Sequence, residues 1–379
     1  MKIALVTPYF PPNIGGIETY VYELAKRLSK HHDVYVFTCG RGMTETYGNV
    51  KVFRMKAIDI QNLPFPIKIP YPIPLSLMFK LAKFDVDIIH VHGHAFFTSL
   101  EAAVAARIVH KPLILTIHDV GVSYHDYLIM RGVRPLFDTT VVNYIFSCAN
   151  AVVAQNRVTY DYASRFNPKK MRVIPQAVNF EKFKPCDNDG EYVTFIAARL
   201  VPQKGGEAFI RTIPKVLSAV KGTKFLVIGD GIQKDYLKDL ASKLGILKNV
   251  TFVGKIAHDD VPKYLSRTKV AVFTSEIPTG LTLLEAAAMK RPIITTKNRW
   301  AEDSLGDTPV FVSTSRIDEI SGAIIHLLKH PDERRRVAER VYNKVTLERN
   351  WDNLVLKHME LYDQVVNRRS QSMKRGINE

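Results

Sequence analysis

Arg199 and Lys204 stand five residues apart, after an apolar run at 193–198 (VTFIAA) and before the pair Gly205-Gly206. A guanidinium grips two oxygens with its planar fork, whereas an ammonium acts as a point charge, so together they suit a diphosphate. A second feature is 273–289, FTSEIPTGLTLLEAAAM, which reads as strand, loop and then a helix opening near Leu281. Thr282 and unpaired backbone amides would stand at the positive end of that helix, Thr279-Gly280 just before it. Glu285 lies a turn inside, too far from the tip to act as a dipole-stabilising charge. Its carboxylate suits two vicinal hydroxyls. Glu276 sits on the loop. A third feature is Gly15-Gly16 in TPYFPPNIGGIETY, where two glycines let a ligand approach backbone amides at a helix start.

Other constellations carry less chemistry. Asp85-Val86-Asp87 matches a metal-holding D-x-D but directly precedes a strand, and Asp187-Asn188-Asp189 falls in a polar connection. His90, His92 and His94 alternate and would share one face of a strand, without a carboxylate or cysteine at ligand spacing. No metal site is expected. Cys39, Cys148 and Cys186 are odd in number and far apart, which points away from a disulfide framework and toward a reducing compartment. No G-x-x-x-x-G-K-[ST] loop occurs, nor a G-x-G-x-x-G after the first strand, which argues against P-loop and nicotinamide enzymes.

The elements that must position these residues alternate. Runs at 3–7, 34–38, 88–91, 113–117 and 151–154 read as buried strands, and 17–30 between them has helical periodicity. The alternation restarts at 193–198 and continues through 225–229, 250–253, 270–274 and 293–296. Helices are expected near 205–220, 232–245, 260–267 and 281–290. Such a pattern is α/β, with parallel sheets covered on both faces, and its recurrence implies two doubly wound domains. These are placed at 1–180 and 185–350, with a hinge in the polar stretch 179–191. A helical tail is expected over 317–349, followed by a terminal helix, 351–379, that crosses back to the first domain. The segment 63–74, LPFPIKIPYPIP, holds five prolines and can be neither helix nor central strand. It reads as a loop packed over the first domain, or as an acceptor-side flap touching lipid.

The chain has 379 residues, is 46% hydrophobic and 24% charged, and carries a net charge of +16. The surplus of cations is shared by both halves, which suits anionic ligands without choosing among them. The opening MKIALVTPYFPP is too short in its apolar run for a signal-peptide core, and no segment reaches the ~18 apolar residues of a membrane span. A cytoplasmic location is expected, at most peripheral to a membrane.

Eight short segments, in order, resemble retaining glycosyltransferases of family 4: GGIE (15–18), IIHVHGH (88–94), TIHD (116–119), VIPQAVN (173–179), ARLVPQKGG (198–206), VIGDG (227–231), FVGKI (252–256) and EIPTGLTLLEA (276–286). The early part is similar to phosphatidylinositol glycosyltransferases. The resemblance implies two facing Rossmann-like domains (GT-B) and metal-independent transfer of a sugar from a UDP- or GDP-linked donor, without a further cofactor. It assigns Arg199 and Lys204 to the diphosphate, Glu285 to the ribose, and Glu276, Thr279, Gly280, Leu281 and Thr282 to donor sugar and distal phosphate. Gly15 and Gly16 would approach the phosphates, His118 the sugar, and the backbone of Gly254–Ile256 the nucleobase. Two departures stand out. The family's glutamates enclose seven residues, whereas Glu276 and Glu285 enclose eight, and Gln176-Ala177 replaces the usual asparagine-glycine.

Two rival readings remain. A GT-B epimerase acting on a UDP-sugar would release a 2-epimer without any acceptor. A nucleic-acid binder would interleave aromatic and basic residues on one face, whereas Tyr9, Phe10, Phe65 and Tyr71 lie among prolines and apolar runs. The reading taken forward is a retaining glycosyltransferase whose acceptor is a membrane lipid or glycan.

Overall fold

The computed structural model describes residues 1–13, 15–58, 72–120, 136–277 and 279–375, with side chains to 367. The chain forms two compact units. One comprises Met1–Gln176 with Trp351–Glu379, and the other Ala177–Asn350.

In the first unit, β1 (Lys2–Val6) is the strand from which the sheet grows both ways. On one side lie β2 (Asp33–Gly40), β4 (Val50–Ile58) and the antiparallel edge strand β3 (Met43–Tyr47). On the other lie β6 (Ile88–His92), β7 (Leu113–Ile117), β8 (Ala151–Ala154) and β9 (Met171–Val173), all parallel. The runs IIHVH, LILTI and AVVA are buried throughout, as strands covered on both faces must be. Neither β3 nor β4 is foreseen in the sequence, because charged residues interrupt their apolar positions. Of the proline-rich stretch, 63–71 lies outside the described residues. Ile73–Pro74 form a two-residue strand, β5, on the outer end of β4, an edge position that proline tolerates.

The second unit holds six parallel strands in the order β12-β11-β10-β13-β14-β15. These are β10 (Tyr192–Arg199), β11 (Lys224–Asp230), β12 (Val250–Gly254), β13 (Thr268–Phe273), β14 (Ile293–Thr296) and β15 (Val310–Val312). Numbered within the unit, the order is 3-2-1-4-5-6, a dinucleotide-fold sheet whose order reverses between β10 and β13. Alternation along β10 sends Val193 and Phe195 to one face, with Phe209, Ile213 and Leu237 of the helices Gly206–Ala219 and Lys234–Lys243. Ile196 points to the other face, with Leu284 and Val341 of the helices Leu281–Ala288 and Pro331–Glu348. Burying each such large apolar side chain contributes about 1.5–3 kcal/mol.

Two expectations change. The helical tail over 317–349 is broken into Ile317–Lys329 and Pro331–Glu348, because Pro331 can open a helix but not continue one. The stretch 179–191, expected as the hinge, belongs to the second unit, and the chain passes between units at 176/177 and 350/351. Buried Arg291 explains this. Its guanidinium donates to Cys186 O (2.8 Å), Asn188 O (2.9 Å) and Asn188 Oδ1 (2.8 Å), while Arg334 and Lys269 ion-pair with Asp189. Polar composition suggested a free linker, but those polar atoms are partners of buried cations.

The terminal helix Trp351–Arg375 packs within the first unit. Its His358 and Tyr362 are fully buried, with His358 Nε2 2.8 Å from Tyr20 Oη and Tyr362 Oη 2.7 Å from His90 Nδ1.

Candidate active site

β10 ends in Arg199, and Leu200 N then donates to Asp230 O (2.8 Å) at the end of β11. A single turn, Pro202–Lys204, leads into Gly205, whose φ of 74° belongs to the left-handed region. Glycine is required twice over at this position. A Cβ on Gly205 would come 1.9 Å from the carbonyl oxygen of Thr274 in the loop after β13. Hydrogen bonds complete the clasp: Thr274 Oγ1 donates to Gly205 O (2.7 Å), Glu276 N to Gln203 O (3.0 Å), and Ser275 Oγ to Gln203 O (3.3 Å). The loops after β10 and β13 are thereby joined where the sheet reverses, the position at which open α/β sheets bind ligands. Arg199 is exposed there and Lys204 is half-buried. Burial first, and then the nearby Arg199 charge, hold the Lys204 ammonium down to about 8.

The helix Leu281–Ala288 opens with Gly280 at φ 76°, ψ −157°, and no side chain caps it. A Cβ on Gly280 would meet nothing within 4 Å, so the helix start is open on the side to which a side chain there would point, and its first amides lack partners within the helix. Next to it, buried Thr279 Oγ1 has no hydrogen-bond partner among the described residues. Glu285, 4% exposed, lies one turn in. Its Oε1 sits 2.6 Å from Nε2 of His258, in the loop after β12, and His258 Nδ1 sits 2.8 Å from Lys182 Nζ. A lysine ammonium only donates, so Nδ1 must accept, which leaves the proton on Nε2 to be donated to Glu285. Lys182 also pairs with Asp259 (2.6 Å). Neither Lys182 nor His258 is singled out by the sequence, because they lie 76 and 27 residues from the groups they meet.

Gly254 takes φ 83°, and the nearest group to a Cβ placed on it would be Lys234 Nζ at 3.7 Å. Half-buried Ile256 packs on the core beside Glu285's helix. Leu281 and Thr282 are half-buried at the helix start. Glu276 is set apart from Glu285. It is exposed, accepts a long hydrogen bond from Thr314 Oγ1 (3.5 Å), and lines a separate cleft of about 550 Å³ at the ends of β14 and β15 with Lys297, Ser313 and Arg316. The extra residue between the two glutamates therefore coincides with a Glu276 carboxylate turned toward β15.

In the first unit, Gly15 caps the helix Gly16–Leu28 in extended conformation. The Glu18 carboxylate lies over it, 2.2 Å from where a Cβ would stand, whereas nothing lies within 4 Å of a Cβ on Gly16. Burial raises the Glu18 pKa. An acidic group of the helix itself thus stands beside the amides expected to take a phosphate at Gly15. His118, after β7, lies 3.1 Å from His92 Nδ1 through its Nε2, with its ring edge-on to Tyr20 at 5.1 Å. Burial holds it down to about 4, a neutral imidazole. The rings of His90 and His92 lie 4.3 Å apart, tilted by 36°, and His94 turns instead to Tyr162 (4.9 Å). Asp85 pairs with Lys2 (2.6 Å) and Lys111 (3.8 Å), and Asp87 accepts from Lys2 N (2.8 Å) at the opposite sheet edge. Among the described residues no cluster of three metal-ligating groups occurs, and no helix is long and apolar enough to cross a membrane.

Comparison with known proteins covers both units. The profile of Glycosyltransferase Family 4 matches residues 14–182, and that of Glycosyl transferases group 1 matches 178–344. The GDP-mannose-dependent alpha-(1-6)-phosphatidylinositol monomannoside mannosyltransferase of Mycobacterium tuberculosis is 25% identical over 385 residues, covering 94% of this chain and 96% of its own. The alpha-monoglucosyldiacylglycerol synthase of Streptococcus pneumoniae is 26% identical over 367 residues, covering 90% and 82%. Among solved structures, an Anabaena protein in complex with UDP and glucose superimposes with a TM-score of 0.74 at 18% identity, covering 96% of this chain and 100% of that one.

Proposed function

The chain belongs to the family 4 glycosyltransferases of the GT-B fold, and from that premise we propose that it moves a sugar, with retention, from a nucleoside-diphosphate donor to a lipid hydroxyl. The observation that carries this reading is the clasp that ties the turn after Arg199, which holds Lys204, to the loop leading into the helix Leu281–Ala288. In the proposed reaction the acceptor oxygen bonds to the anomeric carbon, and the bond from that carbon to the diphosphate breaks. The hydroxyl proton passes to the departing phosphate on the same face. Charge that develops on the leaving group is met by two fixed cations and by amides that need no reorganisation.

Glu285 takes the ribose. His258 occupies its Oε1 and so orients the carboxylate, with the second oxygen assigned to a ribose hydroxyl. Thr279 Oγ1 and the backbone at Gly280–Thr282 take the distal phosphate and donor sugar. Gly254 and Ile256 flank the base, and in the first unit Gly16 and His118 keep the roles that the family pattern implies. The spacing and orientation of Glu276 do not support the same donor-sugar role for it. A lipid acceptor is supported by the two lipid-named relatives and by the helix Leu77–Ala82 with its flanks, where Leu75 before it and Phe79 within it are exposed, as are Lys80 and Lys83. Such a surface fits an enzyme peripheral to a membrane. The two relatives named above are by name a mannosyltransferase and a glycolipid synthase, which favours transfer over epimerisation.

The reading is tested by thermal shift with UDP, GDP and their sugar conjugates, because ligands specific for the native state raise its melting point. One nucleotide class should stabilise the protein, and Arg199→Ala and Lys204→Ala should each lower turnover by about two to three powers of ten. Full turnover in both variants would remove the mechanism. The anomeric configuration of the product, read by NMR, decides retention, and activity confined to water-soluble acceptors would exclude a lipid.

A further inference from the structure

We propose that the amino edge of the first unit's sheet carries a phosphate-binding cleft, separate from the catalytic edge. The cleft has a volume of about 550 Å³. Its wall includes Arg107, His110, Lys111, Lys169 and Lys170, with Cys148 between them. Among the described residues, no carboxylate lines it.

The topology explains how these cations converge. Lys111 stands two residues before β7, Asn150 precedes β8, and Lys169 and Lys170 precede β9, so three parallel neighbours deliver their leading residues to one edge. The helix Phe97–Ile108 ends there as well. Lys111 N donates to Ala106 O (2.9 Å), and His110 takes φ 52°, a conformation that glycine would hold without steric cost. That turn places Arg107, His110 and Lys111 around the same opening. Asn150 is fixed by accepting from Leu113 N (2.9 Å), and Lys170 is held by donating to Gln364 of the terminal helix.

Basic residues at helix C-termini ordinarily complement the helix dipole, and two helices, Phe97–Ile108 and Asn143–Cys148, end here. Each end contributes only about half a negative charge, so two ends balance roughly one cation. Asp85 offsets part of Lys111 from outside the cleft (3.8 Å). Among the described residues, Arg107, Lys111 and Lys169 together exceed these demands without counting Lys170. The guanidinium and ammonium groups are suited to a compact phosphate group that carries at least two negative charges. Inorganic phosphate or a phosphomonoester in solution supplies that chemistry, and so does a phosphomonoester lipid headgroup.

Cys148 provides a local reporter that does not depend on catalysis. Its alkylation, followed by peptide mass spectrometry, is measured with inorganic phosphate against chloride at constant ionic strength. A second pair of samples holds vesicles of phosphatidylcholine with or without phosphatidic acid. A free-phosphate site predicts alkylation slowed about tenfold at a tenfold excess of phosphate over its dissociation constant. A headgroup site predicts protection by phosphatidic acid vesicles only. In either case Arg107→Glu with Lys169→Glu abolishes protection, whereas Arg199→Ala with Lys204→Ala retains it, which separates this cleft from the donor site. Both pairs of side chains are solvent-facing or half-buried, and unchanged melting of each variant shows that it is folded. Absence of protection by phosphate and by phosphatidic acid, or protection that survives the charge reversal, overturns the proposal.

Discussion

At the scale of single residues, the informative groups are those whose environment differs from water. Lys204 is the clearest, with burial and Arg199 together holding it down to about 8. A cation needed for diphosphate binding is then lost as pH rises through that value. The free-enzyme kcat/KM should therefore fall on the alkaline side with an apparent pKa near 8, and Lys204→Arg should move that limb upward, since guanidinium stays charged. A pH–rate profile without an alkaline limb would dissociate Lys204 from the rate. The Lys182–His258–Glu285 chain gives a second expectation. His258→Phe removes the hydrogen bond that orients Glu285, so nucleotide binding should weaken by about 1.5–3 kcal/mol, the range for a bond to a charged group. Calorimetric titration with the stabilising nucleotide measures it, and Glu285→Gln in the same background should add little, because the two act as one unit.

Among elements, the turn after β10 and the loop after β13 behave as one part because Gly205 lets them touch. Gly205→Ala would place a Cβ 1.9 Å from Thr274 O and would hold a non-glycine residue at φ 74°. The conformational strain alone is about 1–2 kcal/mol, and relief of the clash requires the loops to separate. Loss of stability should therefore come with loss of turnover. Gly280→Ala is the contrasting case. Its Cβ would meet nothing, so only conformation is penalised, at about 1–3 kcal/mol for so sparse a region. Denaturation midpoints and kcat for both variants distinguish a packing constraint from a purely conformational one.

For the molecule as a whole, the terminal helix closes the first unit over a buried set of imidazoles. His90, His92 and His358 have no exposure, and burial lowers the pKa of each, to about 3 for His358. Facing them are Tyr20, Tyr362, Thr116 and His118, none of which carries a negative charge at neutral pH, and Asp119 acts on His118. A folded-state pKa below the unfolded 6.5 means that the unfolded chain binds more protons. Stability is thus fully present above 6.5 and is lost as pH falls toward the folded values. The slope is up to about 1.4 kcal/mol per pH unit for each imidazole. Urea unfolding of the first unit, followed at pH 7.5 and 5.5, should show a marked drop in midpoint that His358→Phe reduces. Equal midpoints would show that the imidazoles titrate normally.

The alternation of strands and helices, the doubly wound class, Arg199 at the end of a strand with Lys204 in the turn after it, and Glu285 one turn inside a helix are all legible in the chain itself. Those features are local, since periodicity follows from burial on two faces and glycine-rich turns follow from sterics within a few residues. The sequence also carried the family resemblance across both units. Tertiary structure decided what depends on distant partners: that Lys182 and His258 hold Glu285, that Glu276 turns toward β15, and that 179–191 is bound by Arg291 rather than free. It also decided that the leading residues of three strands form a basic cleft. Each of these is a meeting of side chains far apart in the chain, and no spacing along one strand of sequence encodes which loops a sheet will bring side by side.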